Sequence, residues 1–160
     1  MNKEIIWAPW RIGYINKIEK RKCFLCYGYK SKKDKENFVV YRGDVSFVIM
    51  NIFPYNNGHL MVAPKRHIKD ITSINQKEEI EIMQLIKKSV SILKKVLNPD
   101  GFNIGLNLGK VAGAGLDDHI HFHIVPRWNG DTNFMPVISN TKVIPQSLSE
   151  LYSVLIKEFK

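Results

Sequence analysis

The most informative stretch of the chain is His119-Ile120-His121-Phe122-His123-Ile124-Val125. It holds three of the five histidines, each separated from the next by one apolar residue. Successive side chains of a strand point to opposite faces, so a strand over 119–125 would place three imidazoles on one face and the apolar side chains in the core. The stretch therefore predicts a functional site on one face of a sheet.

Three interpretations of these imidazoles are open from the residues alone. Alternating imidazoles on a strand can bind zinc. One imidazole can instead be a nucleophile while its neighbours orient a phosphate. The third interpretation is a set of hydrogen-bonded surface histidines without a chemical role.

The segment before the triad repeats the alternation. Asn103, Gly105 and Asn107 alternate with apolar residues, so the Asn107 amide can reach a phosphate or a ribose on the histidine face, or can serve a turn. The small-residue loop that follows includes Gly113 and Gly115, where backbone amides can approach an anion closely. This loop lacks the Lys-[Ser/Thr] ending of a P-loop.

The rest of the pattern predicts an α+β fold with an antiparallel sheet. Predicted strands cover 38–41, 45–50, 59–63, 102–107 and 119–125, and residues 1–37 are predicted to be irregular. Ser73 and Gln76 form a candidate capping box for one long helix ending at Asn98. Its apolar stripe consists of Ile82, Ile86, Val90, Leu93 and Leu97. A second helix places Leu148, Leu151, Tyr152 and Leu155 on one face.

Length and composition limit the class of protein. With 160 residues, 44% of them hydrophobic and 24% charged, the chain resembles one globular domain rather than a disordered segment. It has no apolar run of transmembrane length and no secretory leader pattern, so we expect no membrane association. The net charge of +9 favours anionic partners. A nucleic-acid-binding module would not need three aligned imidazoles, so nucleic acid is not the expected partner.

The two cysteines, Cys23 and Cys26, are two residues apart, which argues against a disulfide scaffold and favours a cytoplasmic location. The pair can be redox-active, can form half of a zinc site completed by His67 and His119, or can be two reduced structural cysteines.

Together these residues resemble the histidine-triad (HIT) family, whose signature alternates three histidines with apolar residues as 119–125 does. The segment 57–67, Asn-Gly-His-Leu-Met-Val-Ala-Pro-Lys-Arg-His, is similar to the family's other recurrent segment. Stretches 7–11 and 126–137 resemble a bacterial branch that phosphorolyses diadenosine tetraphosphate. The resemblance implies a single HIT-like domain over 1–160, with extensions at 1–22 and 129–160 around a core at 23–128, and at least a homodimer.

The resemblance also implies residue roles. His121 would attack the α-phosphorus of a nucleotide and carry the nucleotidyl group, while His123 and Asn107 would hold non-bridging oxygens. Asn51 matches the position that holds the ribose, and Phe47 and Ile49 would sandwich the adenine. A structural zinc ion would be bound by Cys23, Cys26, His67 and His119, with no organic cofactor.

The expected function is transfer of AMP from diadenosine tetraphosphate to inorganic phosphate through AMP-His121. In the alternative, a HIT hydrolase or phosphoramidase passes AMP to water. A non-catalytic nucleotide-binding protein is the remaining class. Because 129–133 follows the catalytic strand directly, Asn133 is a candidate neutral donor for the acceptor phosphate.

Overall fold

The computed structural model describes residues 23–131 and 143–160. Five strands form one sheet in the order β1-β2-β3-β5-β4, and every neighbouring pair is antiparallel. The strands are β1 (Val39–Arg42), β2 (Ser46–Met50), β3 (Leu60–Pro64), β4 (Gly101–Leu106) and β5 (Phe122–Arg127). The predicted α+β fold is confirmed.

Four helices accompany this sheet in the described residues: α1 (Phe24–Lys30), α2 (Asp34–Asn37), α3 (Gln76–Leu97) and α4 (Leu148–Phe159). The prediction of irregular structure is therefore wrong for α1 and α2. Both helices are too short to show an apolar period in the sequence. The start of α1 is capped by the Cys23 sulfur, which accepts a hydrogen bond from the Cys26 amide.

The long helix α3 begins at a different cap from the predicted one. Asn75 accepts from the amide of Glu78, and Glu78 accepts from the amide of Asn75, which completes a capping box. Ser73 lies instead in a short 3₁₀ turn that Asp70 caps. Arg66 also binds both carboxylate oxygens of Glu78, which fixes the helix start to the segment after β3.

Two cores lie on opposite faces of the sheet. On one face, α3 and α4 cover an apolar cluster that includes Val48, Leu60 and Ile124. On the other face, α1 contributes Leu25 to a smaller cluster. Every position of β2 is buried because both of its faces are covered.

None of the helices within 23–131 and 143–160 combines the length and the apolar character needed to cross a membrane.

Candidate active site and metal centre

His121 and His123 lie side by side at the start of β5, with ring centroids 4.8 Å apart and both side chains buried. The strand itself begins at Phe122, three residues later than predicted. His119 therefore precedes the strand that carries the other two imidazoles. Its ring packs against that of His67, with centroids 5.0 Å apart.

The ring of His121 is held in one tautomer. Its Nδ1 lies 2.8 Å from the carbonyl oxygen of His119. A carbonyl oxygen can only accept, so Nδ1 carries the proton and Nε2 keeps its lone pair. The arrangement thus provides a neutral imidazole with a free Nε2, which is the form needed for nucleophilic attack.

A chain of hydrogen bonds fixes His123 in the opposite tautomer. The amide of Tyr55 donates to Nδ1 of His59 across 3.0 Å, which leaves the His59 proton on Nε2. That Nε2 lies 2.9 Å from Nδ1 of His123 and donates to it. The remaining proton of His123 is therefore on Nε2, where it can be donated to a substrate oxygen.

Burial keeps these imidazoles neutral. It lowers the pKa of His59 to about 3, together with smaller contributions from repulsion by His123 and His121. Burial, with a smaller contribution from His121, lowers the pKa of His123 to about 4. The pKa of His121 is also lowered by burial, against a smaller opposite effect of its bond to the His119 carbonyl. At neutral pH the site thus offers a neutral nucleophile beside a neutral donor.

The loop before β3 is anchored so that His59 keeps its place. Asn56 is buried, and its amide nitrogen donates to the carbonyl of Pro126 and to Asp131. Gly58 has φ +76°, and a Cβ there would lie 2.5 Å from Leu97 Cδ1, so this position requires glycine. These contacts connect the loop to the end of β5 and to α3.

The side chain of Asn51 supports His59. Its Oδ1 accepts from the amide of Phe53, and its Nδ2 lies 3.3 Å from Nδ1 of His59. The expected ribose contact of Asn51 stays a prediction, in addition to this observed role.

The register of β4 and β5 determines where Asn107 lies. Gly105 pairs with His123 and Leu106 with Phe122, so the same register continued by one residue brings Asn107 opposite His121. Its amide nitrogen lies 3.9 Å from where a Cβ on Gly113 would be. Asn107 is therefore close to both the histidines and the small-residue loop.

Gly113 has a structural role in the small-residue loop. Its amide donates to the carbonyl of Lys110 at the end of a 3₁₀ turn, and its φ of +90° closes that turn. The phosphate contacts expected of Gly113 and Gly115 stay predictions.

The adenine contacts expected of Phe47 and Ile49 stay predictions, and the structure shows what else these side chains contact. They are 0% and 3% exposed, in the core beneath α1. Tyr29 stacks on Phe47 with centroids 5.5 Å apart, and Gly28 packs closely on Ile49. Because α1 was predicted to be irregular, its cover over these side chains was missing from the sequence-based expectation.

The structure brings Cys23, Cys26, His67 and His119 together, with one potential ligand atom from each residue within 4.8 Å of all the others. Nδ1 of His119 lies 3.2 Å from the Cys23 sulfur and 3.4 Å from the Cys26 sulfur. Nδ1 of His67 lies 3.3 Å from the Cys26 sulfur. Ligand atoms of a tetrahedral zinc ion with such bonds are about 3.3–3.8 Å apart, so the cluster has the size of a zinc site.

The opposite ring nitrogens complete this fit. Nε2 of His119 donates to the carbonyl of Pro64 across 2.9 Å, and Nε2 of His67 lies 3.8 Å from the Asp118 carboxylate. Such partners orient ligating imidazoles with Nδ1 toward a metal. Burial raises the pKa of Cys23 to about 12 in the metal-free protein, so metal binding has to displace a proton. Two sulfur and two imidazole donors fit structural zinc and leave no open coordination position.

Comparison with known families gives the context for this geometry. The sequence model of the HIT domain matches residues 32–130. The chain belongs to the HIT domain family. The resemblance seen in the sequence is thus confirmed, and the site lies within the HIT domain, apart from Cys23 and Cys26, which precede the matched residues.

Individual HIT relatives differ in the activities for which they are named. The chain is 36% identical over 162 residues to an AP-4-A phosphorylase of Mycobacterium tuberculosis, covering 96% of this chain and 83% of that protein. It is 32% identical over 85 residues to an adenosine 5'-monophosphoramidase of Schizosaccharomyces pombe, covering 53% and 60%. A zinc-bound histidine triad family protein from Mycobacterium smegmatis superposes with a TM-score of 0.69 at 26% identity, covering 86% of this chain and 93% of that one. Enzymes acting on adenine nucleotides are thus among the relatives of this HIT protein.

Sequence reasoning missed the role of His59. It appeared there only as part of the recurrent segment 57–67, whereas the structure places its ring against His123. A histidine at the start of a strand that neighbours the triad strand is the signal that could have identified it. Asn133 and the stretch 7–11 lie outside the described residues.

Proposed function

We propose that this HIT protein transfers AMP from diadenosine tetraphosphate to inorganic phosphate. The observation that carries the proposal is the fixed tautomer of His121, which leaves Nε2 free on a ring next to that of the donor His123. The similarity to an AP-4-A phosphorylase over 96% of the chain supports this substrate among adenine nucleotides.

In the first step, Nε2 of His121 forms a bond to the α-phosphorus, and the bond from that phosphorus to the bridging oxygen breaks. ATP leaves as an anion and needs no proton. The resulting imidazolium keeps its proton on Nδ1 and donates it in a hydrogen bond to the carbonyl of His119, which stabilises the positive charge. His123 donates from Nε2 to a non-bridging oxygen, where charge develops.

In the second step, an oxygen of inorganic phosphate attacks the same phosphorus and the bond to Nε2 of His121 breaks. The product is ADP, and the neutral imidazole is restored. We propose Asn107 and the amide of Gly115 as further phosphate contacts, Asn51 as a ribose contact and Asn133 as a contact of the acceptor phosphate.

The acceptor is tested by supplying diadenosine tetraphosphate with and without phosphate and separating the products. Phosphorolysis gives ATP and ADP in equal amounts and stops after one turnover when phosphate is absent. Steady production of AMP without phosphate would instead support a hydrolase. The similarity to a phosphoramidase over half of the chain is the observation that favours this second candidate.

We propose zinc as the structural ion of the cluster formed by Cys23, Cys26, His67 and His119, and a location in the cytoplasm, where the two thiols stay reduced.

We also propose that the chain forms at least a homodimer. Its edge strand β4 exposes Ile104, and the neighbouring α3 exposes Met83, at 49% and 57%. An apolar groove between them, lined also by Ile86, Val90 and Phe122, is suited to a second copy that continues the sheet. The whole chain 1–160 would act as one domain.

A further inference from the structure

His119 takes part in the metal cluster and in the catalytic geometry with different atoms. Its imidazole Nδ1 faces the sulfurs of Cys23 and Cys26, and its main-chain carbonyl accepts the Nδ1 proton of His121. The same residue is thus a candidate zinc ligand and the acceptor that fixes the tautomer of the nucleophile. The distance from its carbonyl oxygen to Nδ1 of His121 is 2.8 Å.

The segment that carries this connection lies outside the sheet ladder. Residues 119–121 precede β5, which begins at Phe122. Two bonds hold the segment to the chain that follows β3: the Ile120 amide donates to the carbonyl of Ile68 across 2.7 Å, and Nε2 of His119 donates to Pro64. His67 lies between these two acceptors, so the cluster ties the same two segments to the start of α1.

We propose that metal binding at this cluster fixes His119 and thereby keeps His121 in the tautomer that leaves Nε2 free. His119 is then a positioning residue for the reaction. The inference assigns a catalytic consequence to zinc, beyond its structural role, and its effect on rate rests on the function proposed above.

The physical reason is how the His119 ring is restrained. With a metal on Nδ1 and Pro64 on Nε2, both ring nitrogens are held, and the ring cannot turn. Without the metal, Nδ1 has only thiol neighbours, which are weak hydrogen-bonding partners. The backbone at His119 then loses a restraint, and its carbonyl can move away from Nδ1 of His121. Once that carbonyl is lost, His121 can move its proton to Nε2, the more abundant tautomer of free histidine, and the nucleophilic lone pair is no longer at the reacting atom.

The first test reads the tautomer directly. The full chain, labelled with ¹⁵N in histidine, is studied by long-range ¹H–¹⁵N NMR in its zinc-loaded and chelator-treated states, and the His121 signals are assigned by their loss in His121→Ala. We expect His121 protonated on Nδ1 with zinc, a mixture of tautomers without zinc, and recovery when zinc is returned. An unchanged Nδ1–H tautomer in folded, zinc-free protein would overturn the inference.

The second test reads the rate. Formation of AMP-His121 in single turnover should slow by about 10²-fold without zinc, the cost of displacing a reacting group by about an ångström, with KM changed far less. His67→Ala weakens the site from its exposed side, and Lys69→Ala is the control on the same segment.

If zinc-free protein unfolds, His67→Ala is titrated with zinc. The fraction of His121 protonated on Nδ1 and the rate must then rise together with bound zinc, and a constant fraction overturns the inference. Zinc-loaded protein that never forms AMP-His121 refutes the proposed function, whereas the tautomer measurement still decides the inference.

Discussion

Nε2 of His59 donates a hydrogen bond to Nδ1 of His123 across 2.9 Å, although the two residues are 64 positions apart in the chain. The donor side of this bond is set by the Tyr55 amide, which can only donate to the other nitrogen of His59. The position of the proton that His123 offers to a substrate is thus determined by the Tyr55 amide, which acts through His59. This dependence makes His59 a positioning residue for His123.

Replacing His59 should therefore lower the rate more than the affinity. In His59→Leu, Nδ1 of His123 loses its donor and can take up the proton itself, so Nε2 no longer donates. Loss of one such donor costs about 10²–10³ in kcat. His59→Gln keeps an N–H at a similar reach and should retain more activity. Steady-state kinetics of both variants check this, and equal losses in kcat would show that the hydrogen bond is not what matters.

The pKa values predict that the first chemical step does not depend on pH in the range where free histidine titrates. Burial lowers the pKa of His123 to about 4 and also lowers that of His121, so neither titrates at the pH of a free imidazole. The rate of AMP-His121 formation should therefore show no transition as the pH falls from 8 through 6.5. Single-turnover measurements without phosphate isolate this step, and a midpoint near 6.5 would contradict the assignment.

The same shifts make the fold sensitive to acid. In the unfolded chain these imidazoles return to an ordinary pKa near 6.5, so between that pH and about 4 the unfolded state binds more protons. The free energy of unfolding should therefore have its full contribution from these imidazoles above pH 6.5, and it should decrease steadily as the pH falls below that value. Urea unfolding from pH 8 to pH 4 checks this. His59→Gln removes a strongly shifted imidazole and should give a shallower decline, so a steeper one would be inconsistent with this cause.

Metal analysis should find about one zinc ion per chain, since four protein ligands complete a structural site. Cys23→Ser should lose the ion. At free zinc near 100 times Kd, this loss would lower the free energy of unfolding by about 3 kcal/mol. Thermal unfolding with and without a chelator measures the effect. Protein purified without chelator that holds no zinc, and whose unfolding temperature is the same with added zinc, would leave the cluster as packing residues.

The edge strand β4 gives a prediction for assembly. Ile104→Lys places a charge in the exposed apolar groove and should convert a dimer to monomers. Val154→Lys alters an exposed aliphatic residue on α4 and serves as the control. Sedimentation equilibrium distinguishes the states. A monomeric wild-type protein would exclude the proposed dimer. A dimer that persists in Ile104→Lys would show that the contact lies elsewhere.

Much of this site follows from the sequence because its signals are local. Alternation over 119–125 and the pairing of Asn103–Asn107 with it depend only on strand geometry, and β4 and β5 are indeed neighbours. The apolar stripe of α3 was predicted correctly through Ile82, Ile86 and Leu93, which are buried. The cap at Asn75 was missed because Ser73 offers a similar local signal. In the structure, the reciprocal hydrogen bonds of Asn75 with Glu78 and the contact of Arg66 with Glu78 favour the later start.

Contacts between distant segments are the part of the structure that the sequence pattern does not reveal. The cover of α1, seven residues long, over Phe47 has no signature within either segment. The contact of His119 with cysteines more than 90 positions away in the chain was one of several interpretations that spacing left open, and the resemblance to the HIT family implied it.

The most direct test of the account is intact-protein mass spectrometry after mixing the zinc-loaded chain with diadenosine tetraphosphate in the absence of phosphate. The account predicts a mass increase of one AMP, located on His121 by peptide mapping, lost on addition of phosphate with release of ADP, and absent from His121→Ala. A chain that turns over the dinucleotide without this adduct, or a His121→Ala variant with wild-type turnover, would contradict it.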